Sequence, residues 1–315
     1  MRIVNKSKFI KSVSILIVII IIFTSILVFN IIKSLNKNDE SKQVSSSNSA
    51  KVEEIQEIKQ NKSDLNNLKD DEPSFESSDI KIYKIGEKDL KIPILIYHAF
   101  QTPVPKNDVY KLFSTEERFE ENVKTLLDNG YTFITLEDVY KYKNEKIGLP
   151  EKNIVITMDD GWKGCYTEAF NVIKKYNVPA TIFIVEELVG TNGYFTWEEA
   201  KEMYDTGLVK IHVHGRKHID YSNVKKETLI QDYNHTHNKI EKVLGNKVQK
   251  IMAYPAGASS DNSKKWLKEA GFEIQVQTRY GTINKSSNLD LTNLGRIRGE
   301  QASGKIILNN INNKK

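Results

Sequence analysis

The chain has 315 residues, with 46 Lys and Arg against 41 Asp and Glu for a formal charge of +5, and a single cysteine. That length accommodates one large domain with additional segments. The slight basic excess, with no Lys/Arg cluster interleaved with aromatics, does not point to a nucleic-acid partner, and Cys165 alone excludes an internal disulfide and a cysteine-rich zinc site. Cys165 is expected as an ordinary small residue of the core or its edge.

In chain order, Arg2, Lys6, Lys8 and Lys11 precede an uncharged run from Val13 to Ile32, "VSILIVIIIIFTSILVFNII". As a helix that run spans about 30 Å, the thickness of a bilayer's hydrocarbon core. The basic residues before it predict a cytoplasmic N-terminus. It is long for a signal peptide, and no small-x-small cleavage site follows promptly. The expectation is therefore an uncleaved single-pass anchor over residues 1–33, with the rest of the chain outside the cell. Residues 34–79 are rich in Ser, Asn, Lys, Asp and Glu and poor in aromatics, which predicts a flexible tether, with a weak helical pattern from Val52 to Leu68.

From Ile80 to the end at 315 the texture is that of a folded domain. Residues 92–100, "IPILIYHAF", predict a buried strand. Residues 114–130 predict a helix opened by Ser114, with Glu117 completing a capping box, and closed by Gly130. "YTFITL" predicts a strand before a short helix at 137–142, and "NIVITM" a strand before the helix "YTEAFNVIKKYN". "PATIFIV" and "TWEEAKEMYDTG" form the next pair, then "VKIHVHG" and a long helix from Lys225. "QKIMAYPAG", "SDNSKKWLKEAG" and "FEIQVQT" complete the alternation. Strands alternating with helices at this spacing predict an α/β fold with a parallel sheet, closed or nearly closed as a distorted seven-stranded (β/α) barrel.

In such barrels the working groups lie where strands end. Four such ends carry polar residues: His98; the adjacent Asp159 and Asp160; His214; and Tyr254-Pro255-Ala256-Gly257. In "HVHGRKH", His214 and His218 are four apart with Gly215 between them. Two imidazoles and one carboxylate form a common divalent-metal set, and three protein ligands leave a coordination position open for water. Asp160 is chosen to complete the set, leaving Asp159 to accept a proton. Successive strand residues point to opposite sides, so both aspartates reach one site only where the strand breaks, as Gly161 permits. His235 and His237 fall in a polar helix and are expected to face solvent; His212 either lines the barrel or packs.

"TMDDG", "HGRKH" and "YPAG" resemble the three leading motifs of the polysaccharide deacetylases of the NodB-homology type, carbohydrate esterase family 4. "PILIYHAF" and "GRIRG" resemble the branch acting on poly-N-acetylglucosamine. The resemblance covers roughly residues 92–310. It implies hydrolysis of N-acetyl groups on a sugar polymer, with Asp159 as base and Asp160, His214 and His218 holding Zn2+ or a similar divalent ion. It also implies a Tyr254–Gly257 strand end that lines the substrate groove and holds the oxyanion through a backbone N–H near Ala256. The chain departs from the family pattern at several places. Met158 replaces Phe, His212 stands where glycine is usual, and Ala256 replaces an aromatic that would offer a stacking face. The last Leu-His motif, which supplies the general acid, has no match, and Asn309 stands in its region. His98 is then the candidate acid or substrate contact. Trp162, Tyr194, Trp197 and Tyr254 are candidate sugar-stacking faces. The alternatives are a carbohydrate-binding barrel that keeps the metal but not the catalysis, or a deacetylase of another acetylated sugar polymer.

Overall fold

The structure, a computed structural model, describes residues 80–313. The anchor expected over 1–33 and the tether expected over 34–79 lie outside these residues. Among the described residues no helix is long and apolar enough to cross a membrane.

The framework strands, in chain order, are β1 (Ile94–Tyr97), β2 (Thr132–Ile134), β3 (Asn153–Met158), β4 (Ala180–Ile184), β5 (Val209–Val213), β6 (Ile251–Ala253), β7 (Ile274–Tyr280) and β8 (Leu294–Arg298). All but β2 close a parallel ring in the order β1-β8-β7-β6-β5-β4-β3, with β3 returning to β1. The ring thus has the expected seven strands but a different membership. The segment "YTFITL" supplies β2, which stays outside the ring: it pairs with β3 from Thr132–Asn153 to Ile134–Val155, while β4 takes over the same edge at Thr157–Thr181. The seventh stave is β8, "LGRIR", whose two arginines hide it from a hydropathy reading.

Parallel strands covered on both faces are continuous apolar runs, and β3 is buried at all six positions. Alternation divides the side chains between two layers. Ile94, Val155, Phe183, Val276 and Leu294 form the cluster inside the ring, while Leu95, Ile154, Ile156, Ile182 and Met252 pack outward under the helices. Those helices are α1 (Glu116–Asp128), α2 (Leu136–Asn144), α3 (Phe170–Tyr176), α4 (Trp197–Asp205), α5 (Lys226–Leu244), α6 (Asp261–Glu269) and α7 (Gly304–Asn313). Helix α2 differs in role: Leu136, Val139 and Tyr142 join the inner cluster and close the barrel floor, the end where the strands begin.

Two local expectations are corrected. The cap of α1 is Thr115, whose hydroxyl accepts from the Arg118 N–H at 3.1 Å, and not Ser114. Ser114 is buried and still extended, paired with Phe100. His237 does not face solvent: it is 4% exposed, packs edge-on to Phe272 and lies 3.4 Å from Glu241, while His235 is half-exposed beside Glu186. The charged neighbours of His237 in sequence conceal a helix face that the barrel covers.

Candidate active site

The C-terminal ends of β1, β3 and β5 and the turn after β6 meet at a cleft of about 490 Å³ lined by His98, Asp159, Asp160, His214, His218 and Ala256, among others. The adjacent aspartates both reach it because the chain leaves β3 sharply. Asp160 has φ +73° and Gly161 φ +84°, left-handed values that cost an ordinary residue energy and mark functional turns. The break is therefore at Asp160 itself as well as at the glycine.

Asp160 Oδ1 lies 3.3 Å from His214 Nε2 and 3.4 Å from His218 Nε2. The three ligand atoms fall within 4.8 Å of one another. His214 Nδ1 is 2.9 Å from the Ala253 carbonyl, which fixes the hydrogen on Nδ1 and leaves the Nε2 lone pair facing the cluster. Trp162 Nε1 donates to Asp160 Oδ2 at 3.0 Å. Asp160 Oδ1 is buried without a hydrogen-bond partner. A bare carboxylate oxygen facing two imidazole nitrogens is an orphan that a divalent cation satisfies, so the residues present fit such an ion. Burial opposes ionisation of Asp160, but the neighbouring imidazoles, His214 first and then His98 and His218, hold its carboxyl well below the usual range. Burial, followed by repulsion from His214, lowers the proton affinity of His218 and so favours the neutral, ligating form.

Asp159 is set apart from this cluster. Its nearest approach to His214 Nε2 is 3.9 Å. Both its oxygens accept from Arg296, at 2.7 Å and 2.6 Å, and Arg296 is fully buried, with further bonds to the Gln277 carbonyl and the Thr157 hydroxyl. Burial would raise the Asp159 carboxyl, yet the Arg296 charge, with His214 and His98, brings it below its ordinary value. It is a carboxylate held ionised inside a barrel. His98 Nδ1 lies 2.8 Å from Glu300 Oε1. Burial works against its protonation, but the Glu300 hydrogen bond and the charges of Asp159 and Asp160 outweigh it and raise its proton affinity.

Ala256 lines the cleft with φ +52°. The turn's own bonds come from the N–H groups of Gly257 and Ala258, at 2.9 and 3.0 Å. Tyr254 and Pro255 do not reach the cleft with their side chains. Tyr254 is fully buried and donates its hydroxyl to Gln275 at 2.6 Å, which corrects the expectation that it offers a sugar a stacking face. Trp162 and Tyr194 stack on each other, with centroids 4.8 Å apart, and Lys239 covers the Trp197 ring. His212 faces the barrel interior and binds Glu137 at 2.9 Å, away from the metal cluster.

The partners of the two reactive candidates, Arg296 and Glu300, were not foreseen. They lie 137 and 202 residues from the groups they hold. The available signal was "LGRIRGE" itself: alternation puts Leu294 and Arg296 on one side of a strand, and a buried arginine demands a carboxylate.

Comparison with known proteins shows what this chain is similar to. Residues 146–275 match the family model described as polysaccharide deacetylase. The chain is 30% identical over 187 residues to a Staphylococcus aureus protein named poly-beta-1,6-N-acetyl-D-glucosamine N-deacetylase, an alignment covering 55% of this chain and 64% of that protein's length. Among solved structures it resembles the Streptococcus pyogenes deacetylase PplD in complex with acetate, with a TM-score of 0.64 and 26% identity over 71% of this chain and 99% of that one. A polysaccharide deacetylase from Bacillus cereus gives a TM-score of 0.62 and 26% identity over 71% of this chain and 69% of that one.

Proposed function

We propose, from the match of residues 146–275 to the polysaccharide deacetylase family model, that the chain is a metal-dependent hydrolase removing N-acetyl groups from an N-acetylglucosamine-containing cell-surface polysaccharide, exopolysaccharide or peptidoglycan. The observation that carries the reading is one cleft holding both the Asp160–His214–His218 cluster and an ionised Asp159 clamped by Arg296.

Asp160, His214 and His218 would hold the cation, and two imidazoles with one carboxylate suit Zn2+. When bound, such an ion polarises an acyl carbonyl and acidifies a water. Asp159 takes the proton as the water oxygen bonds to the acetyl carbon. Arg296 keeps that carboxylate ionised and aimed, and the Ala256 N–H faces the developing oxyanion. His98, carrying the proton that Glu300 stabilises, delivers it to the sugar nitrogen as the carbon–nitrogen bond breaks, which yields acetate and a free amine. Trp162 holds Asp160 Oδ2, so that Oδ1 stays turned inward.

The test is acetate release from N-acetylglucosamine oligomers by the full chain. We expect release that stops with a chelator and returns with added Zn2+. Chelator-insensitive release, or binding without any release, would refute the reading. We further place the domain outside the cell, tethered through Val13–Ile32. Recovery of the protein from membranes only with detergent supports this placement, and release by high salt contradicts it.

A further inference from the structure

The rim of the cleft is formed by residues 101–113, and it carries an aromatic face that the hydrolytic chemistry leaves without a task. Val109 and Tyr110 are the most exposed large apolar side chains among the described residues, at 81% and 78%. Surface loops are commonly loose, yet this one is tied to other elements at two places and braced within itself at a third. The N–H and hydroxyl of Thr102 donate to the Glu168 carboxylate at 3.2 and 3.0 Å. The Asp108 carboxylate accepts from the N–H groups of Leu112 and Phe113 at 2.8 and 3.1 Å. Arg298 Nη2 donates to the carbonyls of Tyr110 and Lys111 at 3.1 and 2.6 Å.

Arg298 is itself oriented by Glu300, through Nε to Oε2 at 3.2 Å, and the other Glu300 oxygen holds His98. The Tyr110 backbone is therefore joined through two side chains to the histidine at the reacting centre. Tyr110, Leu112 and Arg298 line the same cleft as Asp159, Asp160 and His214.

We propose that Tyr110 determines specificity as a stacking face for the sugar ring next to the one being deacetylated, with Arg298 as the residue that positions it. The inference rests on the deacetylase reading of this cleft. It follows by elimination among the aromatics and from the shape of the rim. Trp162 and Tyr194 are spent on each other, Trp197 is covered by Lys239, Tyr254 is buried, and Ala256 brings no ring. A polymer with one acetylated sugar over the Asp-His-His cluster must continue across the rim, and the apolar face of a pyranose suits a pre-positioned aromatic that loses little entropy on binding.

The experiment compares a β-1,6-linked N-acetylglucosamine pentamer with the monosaccharide. Acetate release and calorimetric binding are measured on the full chain as wild type, Tyr110→Ala, Tyr110→Trp and Arg298→Lys. We expect Tyr110→Ala to raise KM and Kd for the pentamer about five- to ten-fold with kcat unchanged, and to leave the monosaccharide unaffected. Tyr110→Trp restores pentamer binding. Arg298→Lys raises pentamer KM and also lowers kcat, because it loosens Glu300. An unchanged pentamer Kd in Tyr110→Ala, or an equal loss on both sugars, overturns the proposal. Absence of acetate release by the wild type sinks the deacetylase reading instead, and the pentamer Kd values still decide the role of Tyr110.

Discussion

At the C-terminal end of the barrel His98 Nδ1 lies 2.8 Å from Glu300, and at the floor His212 Nε2 lies 2.9 Å from Glu137. Both histidines are buried, at 8% and 2% exposure, so the pairs are chemically alike and differ in their surroundings. Near His98 stand Asp159 and Asp160, and the proton affinity of the histidine rises against the pull of burial. Around Glu137 burial favours the neutral acid, but the charge and hydrogen bond of His212, with Lys210 farther off, hold the carboxyl below its ordinary value. The upper pair has both Glu300 oxygens engaged, by His98 and Arg298. The lower pair leaves Glu137 Oε2 and His212 Nδ1 without partners. One barrel thus places the same two residue types in the cleft at one end and in its floor at the other.

The comparison breaks most visibly at the residue that charges the upper end. Asp159→Asn should lower acetate release by about 10³-fold, from loss of the base. It should also lower the unfolding temperature, because it leaves the buried Arg296 charge uncompensated, at a cost of about 3–5 kcal/mol. Kinetics and thermal melts on one preparation separate the two effects, and a variant with wild-type turnover would remove Asp159 from the chemistry.

Next, Glu300→Gln withdraws the carboxylate that keeps His98 protonated. Because folding raises the His98 value above 6.5, its protonated form is lost as pH rises through that raised value. The variant's activity should therefore fail at lower pH than the wild type's, with a loss of about ten-fold or more on the alkaline side. Glu137→Gln should leave that pH profile in place, and a matching shift would erase the distinction between the ends.

A smaller effect separates the pairs by stability. The Glu137 carboxyl is depressed below its ordinary value of 4.5, so its contribution is complete above that pH and is lost as pH falls through the folded value. Glu137→Gln should flatten the acid limb of the stability curve and cost about 1–3 kcal/mol near neutrality, read by denaturant unfolding at several pH values. The slightest effect concerns Cys165, which is fully buried, with Sγ 3.3 Å from the His98 carbonyl. Burial, then the charges of Asp160 and Asp159, push its thiol up. Iodoacetamide should label it only after unfolding, and rapid native labelling would show that the floor of the upper pair opens.

Local patterns made much of this legible. "NIVITM" could only be a covered strand, and two aspartates followed by glycine at its end could share a site only through a backbone break, which Asp160 supplies. His214 and His218 lie close in sequence, so their convergence needed no knowledge of the fold. Ring closure was illegible for the opposite reason. Hydropathy registers neither that β3 hands one edge from β2 to β4, nor that Arg296 is apolar in effect once Asp159 neutralises it. The same long-range compensation concealed Glu300. Exposure was also misjudged on α5, where a charged stretch covers a buried His237.

The seam between β5 and β6 carries a single registered pair, Val213 with Met252, and beside it His214 reaches across to the Ala253 carbonyl. A cation seated on His214 would act there as a rivet, fastening the barrel wall where its ladder is thinnest. Amide exchange along Val213 and Met252 should then slow when zinc is supplied, which makes loading of the centre a mechanical event in the scaffold as well as a chemical one.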